Sequence, residues 1–298
     1  MSRPFVHLHV HSEYSIIDGI MSPQAVIDAA KSHGMPAVAL TDLQNTYGSL
    51  KFYQAALTQG IKPIVGSEVL IADEEGVLAG RLLLLCQSFK GFQQLSALIA
   101  GMDVHAERQM VSFDALTSSA CDQLIAISVG MDANFAPAVL SEDDAVVQSK
   151  LQHWSQVFPN RFYLGITKIN RSHESAFNHR MLQWSVQFTM PVVALNSVCF
   201  SQASDFEAHQ IRVCIHRSEQ LPDINRQLGY DVSQSFHSAE AMYQAFADYP
   251  QACEETIRIA QRCSCCFDLS TLHLPQFPYQ GDLNQYFEKQ AQQGLIER

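Results

Sequence analysis

The chain has 298 residues, 47% hydrophobic and 16% charged, which is enough apolar material for a sizeable buried core. Asp plus Glu number 30 against 19 Lys plus Arg, a net charge of −11. That balance opposes tight independent binding to a phosphate backbone, where affinity comes largely from Lys and Arg displacing counterions. No stretch reaches the roughly 18 uninterrupted apolar residues of a membrane helix, and no basic-then-apolar leader opens the chain. The eight cysteines are irregularly spaced and read as reduced thiols, so a cytoplasmic location is expected.

The first element in chain order is "FVHLHVH" (5–11), a β-rich run in which His7, His9 and His11 fall on one strand face. A helix is predicted over 23–33, with Ser22 as N-cap, Pro23 in its first turn and Gly34 as its stop. "PAVALTD" (36–42), "KPIVGSEVLI" (62–71), "RLLLLC" (81–86), "QLIAISV" (123–129), "RFYLGIT" (161–167) and "PVVALNS" (191–197) are further strand candidates. Helical patterns at 48–59, 89–100, 142–157 and 173–187 lie between most of them. Apolar strands alternating with helices predict a mostly parallel sheet covered by helices, closed into a barrel. In such barrels the functional side chains gather at the carboxyl ends of the strands.

Beyond residue 200 the pattern becomes helical, at 205–216, 239–249 and 250–262, followed by a proline-bearing loop at 272–282. The chain then stops inside another helical pattern, as a piece of something longer would.

Two imidazoles in His-x-His spacing on a strand commonly hold zinc or manganese. A hydrogen-bonded set of histidines is the alternative. "TD" (Thr41, Asp42) and "GSE" (Gly66 to Glu68) end the next strands and favour a site.

"HLHVHSEYSIIDG", "GMPAVALTDLQNTYGSLKFYQAALTQGIKPIVGSEV", "SFKGFQQLSALIA", "LIAIS", "MPVVALNS" and "DFEAHQIRVCIH" occur in this order. Together they resemble the polymerase-and-histidinol-phosphatase (PHP) domain at the N-terminus of bacterial DNA polymerase III alpha subunits. The likeness extends over essentially the whole chain and into "LPQFP", similar to the passage into that polymerase's palm. It implies an α/β fold, a distorted seven-stranded (β/α) barrel of PHP type with a helical C-terminal extension. The PHP domain would occupy 1–270, and 271–298 would be a linker and first helix leading into the palm.

Active members of the family hold up to three ions through nine ligands. The resemblance places retained ligands at His9, His11, Asp18 and Glu68. It places lost ones at Leu43, Arg81, Gly130, Ser197 and Cys199, where other residues stand. With that many ligands gone no catalytic residues are expected and the metal site is read as vestigial. The expected cofactor is none, or one Zn or Mn at His9, His11 and Glu68.

Glu68, Asp18 and Asp42 are expected together at the mouth, with Leu43 beside them. Arg81 should reach Glu68 or Asp18 as a counter-charge in place of the metal. The implied role is a structural and docking module. Its partners would be the remaining polymerase domains of the same chain and a proofreading 3′–5′ exonuclease subunit, with DNA contacted only indirectly and no membrane. The alternative is a metal-dependent phosphoesterase, an exonuclease or pyrophosphatase with a reduced site.

Other candidates are weaker. Cys253, Cys263, Cys265 and Cys266 lack paired C-x-x-C knuckles and read as incidental thiols. His209 and His216 share a helix face and read as a hydrogen-bonded surface, while Phe52, Tyr53 and the 82–85 leucine run read as core. No nucleophile elbow or Ser-His-Asp order is visible.

Overall fold

A computed structural model of the chain describes residues 3–73, 75–102, 109–118, 121–219, 229–271 and 277–298. In chain order these form α1 (Pro23–Ser32), β1 (Ala37–Leu40), α2 (Ser49–Gln59), β2 (Lys62–Ala72), β3 (Leu78–Cys86) and α3 (Phe89–Ala100). Then come β4 (Val111–Ser112), α4 (Phe113–Ser118), β5 (Leu124–Ser128), α5 (Ala136–Leu140), α6 (Asp144–Val157), β6 (Phe162–Thr167), α7 (Glu174–Phe188) and β7 (Val192–Leu195). The chain continues through α8 (Phe206–Arg217), α9 (Ala239–Ala245), α10 (Pro250–Arg262) and α11 (Leu283–Ile296).

Local signals account for many of the boundaries. Ser22 caps α1 by accepting from Ala25 N, Pro23 occupies its first turn, and Gly34 follows at φ +64°. Ser88 and Asp143 cap α3 and α6 in the same way, through Gly91 N and Val146 N.

The sheet curls through β1-β2-β3-β5-β6-β7, with β4 pairing to β2. The sheet is mixed: most of its strand pairs are parallel, as expected, and the departure is β3, which runs antiparallel to both β2 and β5. The short link between β2 and β3 is the reason. A parallel return needs a crossover of a dozen or more residues, and a link this short permits only a hairpin. Asp73 holds the turn by accepting from Val77 N.

The segment 5–11 is not the regular strand expected of it, although it occupies a strand's place. Ala39 N donates to His7 O at 2.9 Å on one side. On the other, Val198 N donates to His9 O at 3.0 Å and His11 N to Val198 O at 2.8 Å. The segment thus spans from β1 to the residues after β7 and closes the sheet into a distorted barrel with helices outside. Thr41 Oγ1 accepts from Val10 N, so part of the pairing runs through a side chain instead of the backbone ladder.

Inside the barrel, Val6, Leu8, Ile64, Leu83, Leu85, Ile125, Ile127 and Val193 form one aliphatic core. Ile259 and Ala260 of α10, and Cys263 just past its end, pack into it. Phe52, Tyr53 and Leu82 to Leu85 are buried, as expected. His209 departs from expectation. It is fully buried among Phe200, Phe206 and Tyr230, and among the described residues neither ring nitrogen has a hydrogen-bond partner.

Contacts divide the chain into two units, Met1–Cys266 and Phe267–Arg298. The second contains α11, capped by Asp282 through Asn284 N and Gln285 N, with Tyr279 and Tyr286 in ring contact. The expected proline loop lies partly at 272–276, outside the described residues. No helix of the described residues is long and apolar enough to cross a membrane.

Candidate metal centre

The carboxyl end of the barrel brings His9, His11, Asp18 and Glu68 together from three stretches of chain. His9 and His11 arrive on the closing segment, Glu68 lies within β2, and Asp18 sits on the loop between that segment and α1. The loop is drawn tight: Ser15 N donates to Ser12 O, and Gly19 N to Ser15 O. Only glycine fits at 19, because a Cβ there would lie 1.8 Å from Ser12 O.

Glu68 is the hub. Its Oε2 accepts from His9 Nε2 and from His11 Nε2, both at 2.8 Å, and its Oε1 accepts from Arg81 Nη1 at 2.9 Å. His11 donates through its other nitrogen, Nδ1, to Asp18 Oδ1 at 2.7 Å, and Tyr230 OH donates to Asp18 Oδ2 at 2.9 Å. Ser197 Oγ lies 3.0 Å from His9 Nδ1. The Cys199 thiol donates to Ser197 O.

His11 thus faces a carboxylate with each ring nitrogen, and a histidine that donates from both is an imidazolium. The energetics agree. Burial, the largest single effect, would lower the His11 pKa, but the Asp18 charge together with the hydrogen bonds to Asp18, Cys199 and Glu68 outweighs it and holds the group well above the usual histidine range. Burial likewise opposes ionising Glu68, yet the Arg81 guanidinium and the two histidines hold its carboxyl well below the usual value. Asp18 is lowered against burial by His11. Glu68 in turn raises Arg81. Two anions, Glu68 and Asp18, thereby meet two cations, Arg81 and His11. Burial pushes the Cys199 thiol up to about 12, with Asp18 adding to the effect.

The other expected site residues fall as follows. Leu43 pairs through its backbone with Glu68 and is buried, but its side chain is not among those lining the cleft at the mouth. Gly130 likewise stays off the cleft, at φ +46° beside Thr167. Asp42 is not grouped with Glu68 and Asp18 as expected; its carboxylate accepts from Ser12 N, Ser12 Oγ and Ser15 Oγ instead. Ser197, Cys199 and Arg81 do line the cleft.

Sequence reasoning missed Tyr230, Gln234 and the Arg171–Asp132 pair, which also line it. Tyr230 lies 212 positions from the carboxylate it bonds, so no local pattern marks it.

The donor atoms of His9, His11 and Glu68 lie within 4.8 Å of one another, as do those of His11, Asp18 and Cys199. Two imidazoles and a carboxylate suit one zinc or manganese ion. Two ions at once do not fit these residues, because both groups need His11 and Arg81 already bonds the second oxygen of Glu68. No ring nitrogen of His9 or His11 is left without a partner. Neither metal-capable group found among the described residues includes Cys253, Cys263, Cys265 or Cys266.

Comparison with known proteins places the geometry in context. The PHP domain family matches residues 7–168. The DNA polymerase III subunit alpha of Pseudomonas aeruginosa is 34% identical over 304 residues, taking in 100% of this chain and 26% of that protein. The Escherichia coli (strain K12) subunit of the same name is 37% identical over 305 residues, with the same coverage. The chain therefore spans about a quarter of the length of these curated relatives. Among solved structures, an amidohydrolase of Chromobacterium violaceum superposes with a TM-score of 0.45 at 13% identity, covering 64% of this chain and 86% of that one.

Proposed function

The chain belongs to the PHP domain family, and from that membership we propose that it serves as the N-terminal PHP region of a replicative DNA polymerase III alpha subunit. The domain supports the polymerase architecture of its own chain and docks a proofreading 3′–5′ exonuclease subunit. It performs no metal-dependent phosphoester chemistry itself.

One observation carries the catalytic half of this reading: both oxygens of Glu68 are taken, by Arg81 on one side and by His9 and His11 on the other. A multi-metal phosphoesterase needs several ions to activate water and to neutralise charge on the phosphate. Here a guanidinium and an imidazolium supply the positive charge. Arg81 thus acts as counter-charge at a former ligand position, and His9, His11, Asp18 and Glu68 persist as a structural cluster.

The test is metal content of the purified chain by plasma emission, together with hydrolysis of single-stranded DNA and of 4-nitrophenyl phosphate. Sub-stoichiometric metal and no activity above background are expected. Activity that co-purifies with the chain and is lost in both His9→Ala and Glu68→Ala overturns the reading.

A second reading rests on the same trio: a single zinc or manganese at His9, His11 and Glu68, which would act as a Lewis acid in a reduced phosphoesterase. It requires the ion to compete with Arg81 for Glu68. Stoichiometric metal retained through dialysis favours it.

A further inference from the structure

A second cleft opens between the β2–β3 hairpin and α6, with a volume of about 320 Å³. That lies at the lower end of the range for small-molecule sites, roughly 300–1,000 Å³. It shares no lining residue with the cleft at the mouth. Ile71 and Ala79 of the hairpin strands give it apolar surface, and Phe113 and Trp154 give it aromatic surface. Pairing of β4 with the end of β2 sets Phe113 there, its ring centroid 4.4 Å from that of His153 and 5.0 Å from that of Trp154.

The two walls differ in their polar groups. On the α6 wall, Lys150 Nζ donates to Asn134 O at 2.6 Å and Trp154 Nε1 to Asn134 Oδ1 at 3.0 Å, so these donors are already engaged. The hairpin wall presents two carboxylates, Asp73 and Glu75. The turn uses one Asp73 oxygen, Oδ1, which accepts from Val77 N. Among the described residues no ion pair includes either carboxylate. His153 adds an independent sign: its Nε2, buried in the wall, has no partner among the described residues. Buried ring nitrogens ordinarily have one, so this nitrogen is short of a donor.

Two carboxylates thus meet one ammonium in the cleft, on a chain of net charge −11. The excess is negative and suits a cation with a slender apolar body. The aromatic wall and the unpartnered nitrogen narrow the choice. A guanidinium is planar, stacks on aromatic faces, and has N–H donors enough for a carboxylate and an imidazole nitrogen together.

We propose that this cleft binds a small organic cation, a guanidinium carried on a short aliphatic stem. Its N–H groups meet Asp73 and Glu75, its plane lies against Phe113, one N–H serves His153, and the stem covers Ile71 and Ala79. Lys150 opposes it, and the bond to Asn134 O keeps that ammonium on the far wall. The site is independent of the metal and docking reading, since none of its residues belongs to the mouth.

The experiment titrates butylguanidine into the full chain labelled with nitrogen-15 and follows the indole N–H signals. The Trp154 signal is expected to shift while that of Trp184 stays. Asp73 is half-buried and Glu75 exposed, and exposed ion pairs are weak, so Asp73→Asn and Glu75→Gln should each weaken binding only about fivefold. The new amide at 73 still accepts from Val77 N, so the turn survives the change. Lys150→Met removes the opposing charge and should tighten binding by a similar factor of about five. Butylamine, which lacks the planar fork, should bind more weakly, and butyrate not at all. An acetylated, amidated arginine peptide separates the sources: binding as strong as butylguanidine assigns the site to an arginine of another protein, and weaker binding assigns it to a free cation. No Trp154 shift at about 10 mM butylguanidine, tenfold above the ~1 mM dissociation constant ordinary for so small a ligand, overturns the proposal. Unchanged affinity in both Asp73→Asn and Glu75→Gln, or butyrate binding as well as butylguanidine, overturns it too.

Discussion

The two ends of the barrel solve the same problem with opposite materials. Toward α10 the interior is hydrocarbon and thiol: Ile259, Ala260 and Cys263 pack on Val6, Leu8 and their neighbours. Polar seams there include Val6 N to Thr256 Oγ1, Lys62 Nζ to Ala260 O and Arg262 Nη1 to the Tyr163 hydroxyl. Toward the mouth the interior is charge, arranged as Arg81, Glu68, His11 and Asp18 in alternating sign. Apolar packing is tolerant, since volume and shape suffice. An ion cluster in a buried site is intolerant, because each member is costly unless every other is present. Such a cluster can therefore support the fold only if its charges are balanced from within.

The hydrocarbon end should give the largest effect. Leu83 is fully buried in the aliphatic core, so Leu83→Ala is expected to lower unfolding stability by about 3–5 kcal/mol, from lost transfer energy plus an unfilled cavity. Urea unfolding of the two chains measures this directly. A loss below about 1 kcal/mol would mean the barrel interior collapses around the gap.

At the mouth, Arg81→Ala removes one cation and leaves Glu68 buried with an excess of negative charge. Arg81 is one-third exposed, so water relieves part of the penalty, and about 3 kcal/mol is expected, the low end for breaking a buried pair. In a unit of this size that lowers the melting midpoint by roughly 6–10 °C. Adding Glu68→Gln to Arg81→Ala should restore part of the loss, because the stranded charge goes with it. If the double variant is no better than Arg81→Ala alone, the cluster is not held by charge balance.

The two ends also differ in how they show in the sequence. The hydrocarbon end was legible because alternation and β-branched runs are local: 62–71, 81–86 and 123–129 fall within observed or nearly observed strands. The mouth was only half legible. His9, His11 and Glu68 announce themselves by residue type and position at strand ends, and the resemblance assigns them. The Arg81–Glu68 bond follows from register, since β2 and β3 pair antiparallel with Glu68 opposite Leu83 and Leu70 opposite Arg81. Alternation along β3 gives no hint of it. Asp42 was misplaced because nothing local shows that Ser12 and Ser15 will consume its carboxylate. Tyr230 and Ser197 were invisible as partners, as their contacts span 212 and 188 positions. The segment 5–11 looked like an ordinary strand, and only the closed barrel shows why it bonds partly through Thr41.

The pH profile sharpens the contrast further. Burial is the largest effect on His7 and His209 and lowers them to about 3 and about 4, for His209 against the Asp18 charge. Below pH ~6.5 the unfolded chain binds protons that these two refuse in the folded state, so stability falls as pH drops. His11 behaves in the opposite sense. Its folded pKa is raised, so its contribution is complete below about 6.5 and is lost as pH rises toward the folded value. Each group changes stability by up to about 1.4 kcal/mol per pH unit. Calorimetric midpoints should therefore peak near pH ~6.5, with the acid limb steeper because His7, His209 and the likewise lowered His237 drive it, joined at lower pH by Asp18 and Glu68, whereas His11 drives the other. Asp18→Asn should flatten the alkaline limb and, because the Asp18 carboxyl is itself lowered in the folded chain, also remove its share of the loss below about pH 4.

The smallest effect concerns metal, and it separates the two readings of the mouth. An ion that binds only the folded chain raises stability by RT ln(1 + [L]/Kd), about 2.7 kcal/mol at a hundred times Kd. To enter at His9, His11 and Glu68, zinc must displace the Nε2 protons of both histidines and share Glu68 with a guanidinium already 2.9 Å away. Each of these weakens binding, so zinc at about 0.1 mM is expected to move the parent's midpoint by less than about 1 °C relative to EDTA. Arg81→His removes the competing cation and adds an imidazole on the strand facing Glu68. In that variant the same zinc should raise the midpoint by several degrees, about 1–2 kcal/mol. A parent that responds as strongly as Arg81→His shows that Arg81 does not exclude the ion, and the balance at the mouth would then belong to a metal after all.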